Sequence, residues 1–151
     1  MVITCSDTRT PDTDGSGRLI KDLLQQQGHQ IVAYHLVKDE PADITARIRE
    51  ALQSDAIQAI IVNGGTGISR RDSTFEAVDG LLEKRLDGFG EIFRYLTYQD
   101  IGSPAIMTRA TAGIVKGRIL FSTPGSENAV RLAMEKLILP ELGHLVKELT
   151  K

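Results

Sequence analysis

Apolar residues in the first half of the chain follow two spacings, one typical of buried strands and one typical of amphipathic helices. Short β-branched or apolar runs at Val2–Thr4, His29–Val37 and Ile57–Val62 predict three strands. In the two segments between them, apolar residues recur every three or four positions, which predicts two helices. Those positions are Leu19, Ile20, Leu23 and Leu24 in the first segment, and Ile44, Ile48 and Leu52 in the second.

Residues that favour helix ends mark the borders of these two helices. Ser16 is expected to cap the first helix, and Gly28 can adopt the left-handed conformation that often follows a last turn. Pro41 stands where the second helix should begin, since proline is favoured in the first turn. The predicted order is therefore strand, helix, strand, helix, strand.

The second half of the chain is less regular but continues the same order. We predict a helix from about Ser73 to Lys84 and an amphipathic helix within Asp87–Gly102. Ile114–Val115 and Arg118–Ser122 indicate a hairpin or a strand pair. Two further helices are predicted, over Ala129–Leu139 and from Pro140 to about Leu149.

This alternation predicts an α/β fold, with a parallel sheet covered by helices on both faces. The 151 residues contain no repeat or linker, so a single domain over residues 1–151 is expected. Parallel sheets bind ligands beyond the carboxyl ends of their strands. Four loops are expected at that edge: Ser6–Ser16, Lys38–Glu40, Asn63–Asp72 and Thr123–Asn128.

Composition and charge disfavour two classes of partner. The chain has 18 basic and 20 acidic residues, 5% aromatic residues and no tryptophan, so we expect no nucleic-acid partner. No apolar run approaches a membrane span, so we expect no membrane partner. The single cysteine, Cys5, and the absence of a signal-peptide pattern favour a cytoplasmic protein. Cys5 is expected to be a small buried thiol rather than a nucleophile.

The strongest candidate site is the glycine loop Gly64-Gly65-Thr66-Gly67, directly after the third predicted strand. Glycines let successive N–H groups approach an anion closely, and the helix that follows offers a positive dipole end. A tight turn between a strand and a helix is the simpler alternative. The position after a core strand, together with Arg70 and Arg71, favours a phosphate or another oxyanion.

Two familiar nucleotide-binding signatures do not fit this loop. A P-loop would continue with lysine and then serine or threonine, but Ile68 and Ser69 follow here. The dinucleotide fingerprint needs a third glycine where Arg70 stands, and it follows the first strand rather than the third. The loop is therefore expected to be a phosphate site of another kind.

Two aspartates, Asp39 and Asp72, stand on loops expected beside the glycine loop. Each could be a helix cap, because aspartate is favoured before a first turn. Two carboxylates at one anion pocket are also explained if they bind Mg²⁺ that bridges to phosphate, or if they act on a hydroxyl nucleophile. The spacing alone leaves both interpretations open.

Several short motifs occur together in one order along the chain. They are Ser6-Asp7-Thr8, Gly64–Gly67 with Arg71-Asp72, Gly88-Phe89-Gly90-Glu91, Arg109 with Ala112-Gly113-Ile114, and Pro124-Gly125. This ordered set resembles the MoaB/MogA family of molybdenum cofactor biosynthesis proteins, which includes a domain of gephyrin. The resemblance covers essentially the whole chain. The segments around FGEIFRYLTYQDIG and PGS are more similar to the MoaB branch.

The resemblance implies a three-layer α/β/α domain with a mainly parallel, Rossmann-type sheet that self-associates as a trimer or hexamer. It also implies that molybdopterin is adenylylated with Mg-ATP, giving adenylyl-molybdopterin and pyrophosphate. By the same resemblance, Asp39 and Asp72 are the catalytic residues and bind Mg²⁺.

The resemblance also implies a set of substrate-binding residues. These are Ser6, Asp7, Gly64, Gly65, Thr66, Gly67, Arg71, Glu91, Pro124, Gly125, Ser126 and Asn128. The chain departs from the family pattern at two positions, with Glu127 where many members have proline and Ser126 where several have asparagine. The alternative function is therefore a non-catalytic member that binds molybdopterin or assists its assembly.

Overall fold

Six strands form one mixed sheet in the computed structural model, which describes residues 1–151. The strands are β1 (Val2–Cys5), β2 (Tyr34–Val37), β3 (Ala59–Asn63), β4 (Lys84–Arg85), β5 (Thr111–Val115) and β6 (Arg118–Thr123). Their order across the sheet is β2-β1-β3-β6-β5-β4. The first four in that order run parallel, and β5 is antiparallel to both of its neighbours. The prediction of a mainly parallel sheet is confirmed.

Six α-helices cover the two faces of this sheet. They are α1 (Gly15–Gln26), α2 (Pro41–Leu52), α3 (Thr74–Asp79), α4 (Asp87–Ile101), α5 (Glu127–Ala133) and α6 (Leu139–Leu149). A 3₁₀ segment, Ser103–Met107, follows α4, and a π-helical turn, Met134–Ile138, joins α5 to α6. None of the helices combines the length and the apolar character needed to cross a bilayer.

The core is divided into two apolar clusters, one on each face of the sheet. Successive strand side chains point to opposite faces, and β3 shows this directly. Its Ile61 packs into the cluster that contains side chains of α1, α4, α5 and α6. Its Ile60 and Val62 pack into the cluster that contains side chains of α2 and α3. The three-layer α/β/α prediction is therefore confirmed.

Two strand predictions need correction at their ends. The second strand begins at Tyr34 rather than His29, because the four residues of β1 pair with only the four residues of β2. The third strand is Ala59–Asn63 rather than Ile57–Val62. Ile57 lies in a turn, where its N–H donates to the Ser54 carbonyl at 3.3 Å.

The helix predicted over residues 73–84 ends early, at Asp79. The chain then turns into the sheet, where Lys84 and Arg85 pair with β5 as the short strand β4. The Leu86 N–H also donates to the Ala112 carbonyl at 2.8 Å. Pairing with a partner distant in sequence thus replaces the last helical turns.

The predicted strand pair is confirmed as a hairpin of β5 and β6. Its two turn residues, Lys116 and Gly117, have φ values of 46° and 74°, as tight hairpin turns require. The amphipathic helix predicted within Asp87–Gly102 is confirmed as α4. The helix predicted from Ala129 already begins at Glu127, and Pro140 lies in the first turn of α6.

Candidate functional site

Loops that follow β1, β2, β3 and β6 meet at the carboxyl edge of the sheet, where the parallel-sheet rule predicted a site. The Arg9 guanidinium donates through Nη2 to the Gly125 carbonyl at 2.7 Å, which joins the first loop to the last. The Asp39 N–H donates to Asp7 Oδ1 at 3.1 Å, which joins the first loop to the second. The Gly64 N–H donates to the Thr123 carbonyl at 2.9 Å, which joins the third loop to the last, so all four predicted loops are linked.

The start of α1 reinforces this junction. Asp14, rather than the predicted Ser16, caps the helix by accepting a hydrogen bond from the Gly17 N–H at 2.9 Å. The buried Ser16 hydroxyl instead donates to the Gly125 carbonyl at 2.6 Å. Asp14 also accepts a hydrogen bond from the Tyr34 hydroxyl. Burial works to raise the pKa of Asp14, but these hydrogen bonds outweigh it and the pKa is lowered.

Two glycines allow the loops to approach each other closely. Gly64 has a φ of 99°, and a side chain there would collide with the Cys5 carbonyl. A Cβ on Gly125 would lie 3.1 Å from the Cα of Gly64. Glycine is therefore required at Gly64 by its conformation and favoured at Gly125 by the narrow gap.

The glycine loop presents a row of free backbone donors. The N–H groups of Gly65, Thr66, Gly67 and Ile68 have no acceptor within the protein. At the ends of the row, the Gly64 N–H donates to the Thr123 carbonyl and the Ser69 N–H donates to Asp72. A run of four unpaired amides in a glycine-rich turn is suited to an anion.

Three of these residues, Gly65, Thr66 and Gly67, border a cavity of 330 Å³ that has two different walls. The polar wall comes from the glycine loop, Asp72 and the Pro124–Ser126 turn. The opposite wall comes from α4 and the segments after it, and its apolar members are Phe93, Ile101, Pro104, Met107 and Ala129. Such a cavity suits a ligand that carries an anionic group on an apolar ring system.

Asp39 lies directly behind the glycine loop. Its Oδ1 is buried without a hydrogen-bond partner, 2.5 Å from the position that a Cβ on Gly65 would occupy. The buried Thr74 hydroxyl faces the same position and also has no partner. Burial raises the pKa of Asp39, and the charges of Asp7 and Asp72 raise it further. An orphaned carboxylate oxygen here indicates a position for a cation or a proton.

Asp72 lies on the cavity side of the same loop. Its Oδ2 accepts hydrogen bonds from the Ser69 N–H at 2.9 Å and the Ser69 hydroxyl at 2.6 Å. The same oxygen lies 2.7 Å from the position of a Cβ on Gly67. The two aspartates therefore flank the glycine loop.

Neither aspartate is a helix cap. The residues at the cap positions are Glu40 for α2 and Ser73 for α3, and neither makes a side-chain capping bond. The capping interpretation of Asp39 and Asp72 is therefore wrong.

The donor set around the loop fits magnesium better than a tightly held structural ion. No group of three or more histidine, cysteine, aspartate or glutamate side chains is arranged to hold a metal. Magnesium commonly takes one or two protein carboxylates and completes its shell with water and substrate phosphates. The unpaired oxygen of Asp39 and the nearby Asp72 match that requirement.

Arg71 ties two of the loops together instead of standing free. Its guanidinium donates to both carboxylate oxygens of Asp7, at 2.9 and 3.0 Å, and to Glu40 at 2.6 Å. These hydrogen bonds hold the pKa of Asp7 below its usual value. Arg71 was predicted as a substrate ligand, but its donors are largely engaged by carboxylates here.

Of the remaining predicted residues, Ser6 and Ser126 belong to the site, whereas Glu91 and Asn128 lie outside it. The Ser6 hydroxyl shapes the first loop by accepting hydrogen bonds from the Thr8 and Arg9 N–H groups. Ser126 lines the cavity and also caps α5. Glu91 and Asn128 are exposed and lie outside the cavity wall, and Asn128 borders a separate depression next to α4.

Arg109 is a contact residue that was not among the predicted site residues. Its Nε donates to the Gly67 carbonyl at 3.0 Å and its Nη2 to the Asp72 carbonyl at 3.1 Å. The motif set contained Arg109, but these contacts span 42 and 37 positions of the chain. No spacing rule could have identified it.

Cys5 is confirmed as a buried thiol. It is 3% exposed at the end of β1. Burial raises the pKa of its thiol to about 12, so the reactive thiolate is disfavoured at neutral pH. The chemistry of the site therefore falls to the glycine loop and the carboxylates.

Comparison with known proteins gives one consistent result. Residues 1–144 match a family model described as "Probable molybdopterin binding domain". The chain is 53% identical over 152 residues to Molybdenum cofactor biosynthesis protein B of Halalkalibacterium halodurans, covering 100% of this chain and 89% of that protein.

Two solved structures show the same agreement. A crystal structure of Molybdenum cofactor biosynthesis protein B has a TM-score of 0.96 at 48% identity, over 99% of this chain and 93% of that one. The tungsten cofactor synthesizing protein MoaB from Pyrococcus furiosus has a TM-score of 0.88 at 37% identity, over 99% of this chain and 95% of that one.

Proposed function

This chain belongs to the MoaB family of molybdenum cofactor biosynthesis proteins, and from that premise we propose that it adenylylates molybdopterin with Mg-ATP. In this reaction a terminal phosphate oxygen of molybdopterin attacks the α-phosphorus of ATP. A new P–O bond forms, the bond to the β-phosphate oxygen breaks, and pyrophosphate leaves. The observation that carries the proposal is the row of four free amides flanked by Asp39 and Asp72.

The free amides of Gly65–Ile68 supply the electrostatic part of catalysis. Phosphoryl transfer develops negative charge on oxygens that N–H donors can stabilise without reorganising. The amides also fix the position of the phosphate, which makes the attack effectively intramolecular. No side chain has to form a covalent bond to substrate.

Asp39 and Asp72 are the residues that would hold Mg²⁺. When bound, the ion supplies charge neutralisation between the carboxylates and the phosphate oxygens. The carboxylate form of Asp39 is the one that can bind a cation. Burial raises the pKa of Asp39. As the pH falls, Asp39 is therefore protonated, and stops binding the ion, at a higher pH than an exposed aspartate would.

The apolar wall of the cavity would hold a planar ring and exclude water. Phe93 is almost fully buried beneath this wall, while Ile101 and Met107 are about half exposed. A flat heterocycle of the substrate would cover the exposed part and lower the local dielectric around the phosphate. The distribution of polar and apolar residues thus matches a phosphorylated pterin or an adenine nucleotide.

The direct test combines the purified protein with molybdopterin and Mg-ATP and follows pyrophosphate release together with adenylyl-molybdopterin by mass spectrometry. We expect release that requires both magnesium and molybdopterin. Reactions without molybdopterin or with EDTA are the controls. Pyrophosphate release that does not depend on molybdopterin would contradict the proposal.

A non-catalytic role in binding or assembling molybdopterin is the second candidate. One observation favours it: Asp72 Oδ2 already accepts two hydrogen bonds from Ser69, so one of the two carboxylates is partly engaged within the protein. The same assay separates the two functions. Binding of the pterin with no transfer of AMP would establish the second.

We also propose that the chain self-associates, as a trimer or hexamer. Four large side chains at three-residue spacing along α4 are about half exposed or more. They are Ile92, Tyr95, Tyr98 and Ile101, with exposed fractions between 49% and 61%. In the adjoining 3₁₀ segment, Ile106 is 83% exposed and Met107 46%. Several large exposed side chains on neighbouring segments are typical of an interface.

A further inference from the structure

We propose that Arg109 is a positioning residue that orients the glycine loop by holding its carbonyl groups away from the cavity. The amides of the same peptides then face the ligand. The inference rests on the proposed phosphate site, because it explains why those amides are available. It assigns to Arg109 a role at the loop without direct contact with substrate.

Arg109 contacts three backbone carbonyls between Thr66 and Asp72. Nε donates to the Gly67 carbonyl at 3.0 Å and approaches the Thr66 carbonyl at 3.4 Å. Nη2 donates to the Asp72 carbonyl at 3.1 Å, at the far end of the loop. One guanidinium thus engages two carbonyl oxygens within the segment that carries the free amides and a third at Asp72, four residues beyond it.

Peptide geometry converts these contacts into an orientation of the N–H groups. A trans peptide is planar, with its N–H pointing opposite to its carbonyl, and the chain contains no cis peptide. The Thr66 carbonyl shares a peptide with the Gly67 N–H, and the Gly67 carbonyl shares one with the Ile68 N–H. Both N–H groups therefore point away from the guanidinium, and both are without an acceptor.

Arg109 is itself held in place on the side of the loop away from the cavity. It does not line the 330 Å³ cavity, whereas Thr66 and Gly67 do. An ion pair with Glu76 and the Phe75 ring, 5.2 Å from the guanidinium carbon, fix its side chain. The fork of an arginine can reach several carbonyls at once, which a lysine ammonium cannot.

The chain offers a matched control at the opposite edge of the sheet. Arg118 also donates to loop carbonyls, those of Ile57 at 3.0 Å and Ser54 at 2.9 Å, before β3 begins. Replacing either arginine with alanine removes bonds of the same type. Only Arg109 touches the glycine loop.

The experiment measures the binding of inorganic pyrophosphate to the full chain and to Arg109→Ala and Arg118→Ala variants by calorimetry, with amide chemical shifts of Gly65 and Gly67 recorded alongside. We expect Arg109→Ala to weaken binding by about tenfold, because the Gly67 and Ile68 amides lose their fixed orientation and must be ordered when the ligand binds. Arg118→Ala should leave the dissociation constant within about twofold. The KM for ATP should rise in Arg109→Ala more than kcat falls.

The binding measurements can overturn the role of Arg109 separately from the phosphate site itself. Equal dissociation constants for the two alanine variants would overturn the role of Arg109 while leaving the phosphate site intact. If the unaltered chain bound no pyrophosphate and its glycine amides did not shift, the phosphate site itself would fall, and this role with it. Should Arg109→Ala fail to fold, Arg109→Lys keeps the charge but not the fork, and unweakened binding in it would equally overturn the inference.

Discussion

The Asp39 carboxyl group binds a proton more readily in the folded chain than in an unfolded one. Burial and the charges of Asp7 and Asp72 raise its pKa above the ordinary aspartate value of 3.8. The folded state then holds the extra proton between the unfolded and the folded pKa, so the contribution of Asp39 to stability falls as the pH rises through that window. At neutral pH the ionised group opposes folding.

Replacing Asp39 with asparagine should therefore separate activity from stability. We expect Asp39→Asn to lower kcat by about 100-fold, with a smaller effect on pterin affinity, because it removes a charged group directly behind the proposed phosphate loop. The free energy of unfolding at pH 7, measured in urea, should stay the same or rise.

Asp79→Asn provides the control for that experiment. Hydrogen bonds from Arg85 lower the pKa of Asp79, so its ionised form supports folding, and it lies outside the cavity wall. Asp79→Asn should lower stability slightly and leave transfer unchanged. Parental kcat in Asp39→Asn would show that the carboxylate has no catalytic role.

The pKa values of Asp7 and Asp39 should be shifted in opposite directions, although their loops are in contact. Hydrogen bonds from Arg71 lower the pKa of Asp7, whereas burial raises that of Asp39. Carboxyl carbon resonances followed by NMR as a function of pH should give a pKa below 3.8 for Asp7 and a pKa above 3.8 for Asp39. The support that Asp7 gives to folding is present above 3.8 and is lost as the pH falls through its folded pKa.

The variant Arg71→Gln tests the cause of both shifts. Removing the guanidinium takes away the hydrogen bonds on Asp7 and the nearby positive charge that lowers the pKa of Asp39. Both pKa values should then rise. An unchanged Asp7 titration in that variant would mean that the ion pair does not form in solution.

At the scale of elements, the glycine loop allows a comparison between two glycines of similar conformation. Gly65 has a φ of 68° and faces Asp39 and Thr74, whereas Gly117, in the hairpin turn, has a φ of 74° and open space around it. Gly117→Ala should cost about 1 kcal/mol of stability from backbone strain alone. Gly65→Ala should cost more and also weaken ATP binding, as measured by calorimetry.

The bulkier Gly65→Val variant extends this prediction. Its side chain would press on the same two oxygens and push the loop towards the cavity. ATP affinity should fall further than in Gly65→Ala, with Gly117→Ala remaining at the parental value. Unchanged ATP affinity in Gly65→Val would count against the loop as the phosphate site.

The elements that sequence patterns predicted well are those with many residues in the core. α1 and α2 each bury one face against the sheet, and β3 lies inside the sheet between the two clusters, so their apolar spacing reflects their structure, although the ends of β3 are shifted. β2 lies at an edge of the sheet, and its length is limited by the four residues of β1 with which it pairs. Both residues of β4 are exposed, and the strand exists only through its pairing with β5, which leaves no local signal in the sequence.

The site shows a similar division. The parallel-sheet rule and the glycine spacing correctly predicted that Asp39, Asp72 and the glycine loop would converge. The engagement of Arg71 by Asp7 depends on two residues 64 positions apart, and the contacts of Arg109 depend on where β5 lies. Asn128 falls outside the cavity because successive residues of α5 turn by about 100° and direct it towards α4.

At the scale of the whole molecule, the exposed apolar side chains of α4 are the basis of the proposed self-association. The full chain should elute as a trimer or hexamer in size-exclusion chromatography with light scattering. Tyr95→Asp should shift it towards the monomer, because a charge within an apolar interface is disfavoured. Lys147→Asp, an exposed change on α6, should leave the oligomer intact. A parental mass for Tyr95→Asp would exclude this face.

The four unpaired amides of the glycine loop also bear on how the protein should be handled. Backbone N–H donors bind an anion by its charge and shape, so they do not distinguish one tetrahedral oxyanion from another. Sulfate or phosphate in a buffer is therefore expected to compete with nucleotide for the same residues. An affinity for ATP measured in such a buffer would include the cost of displacing the bound sulfate or phosphate. Chloride and an organic buffer would leave the amides of the glycine loop free.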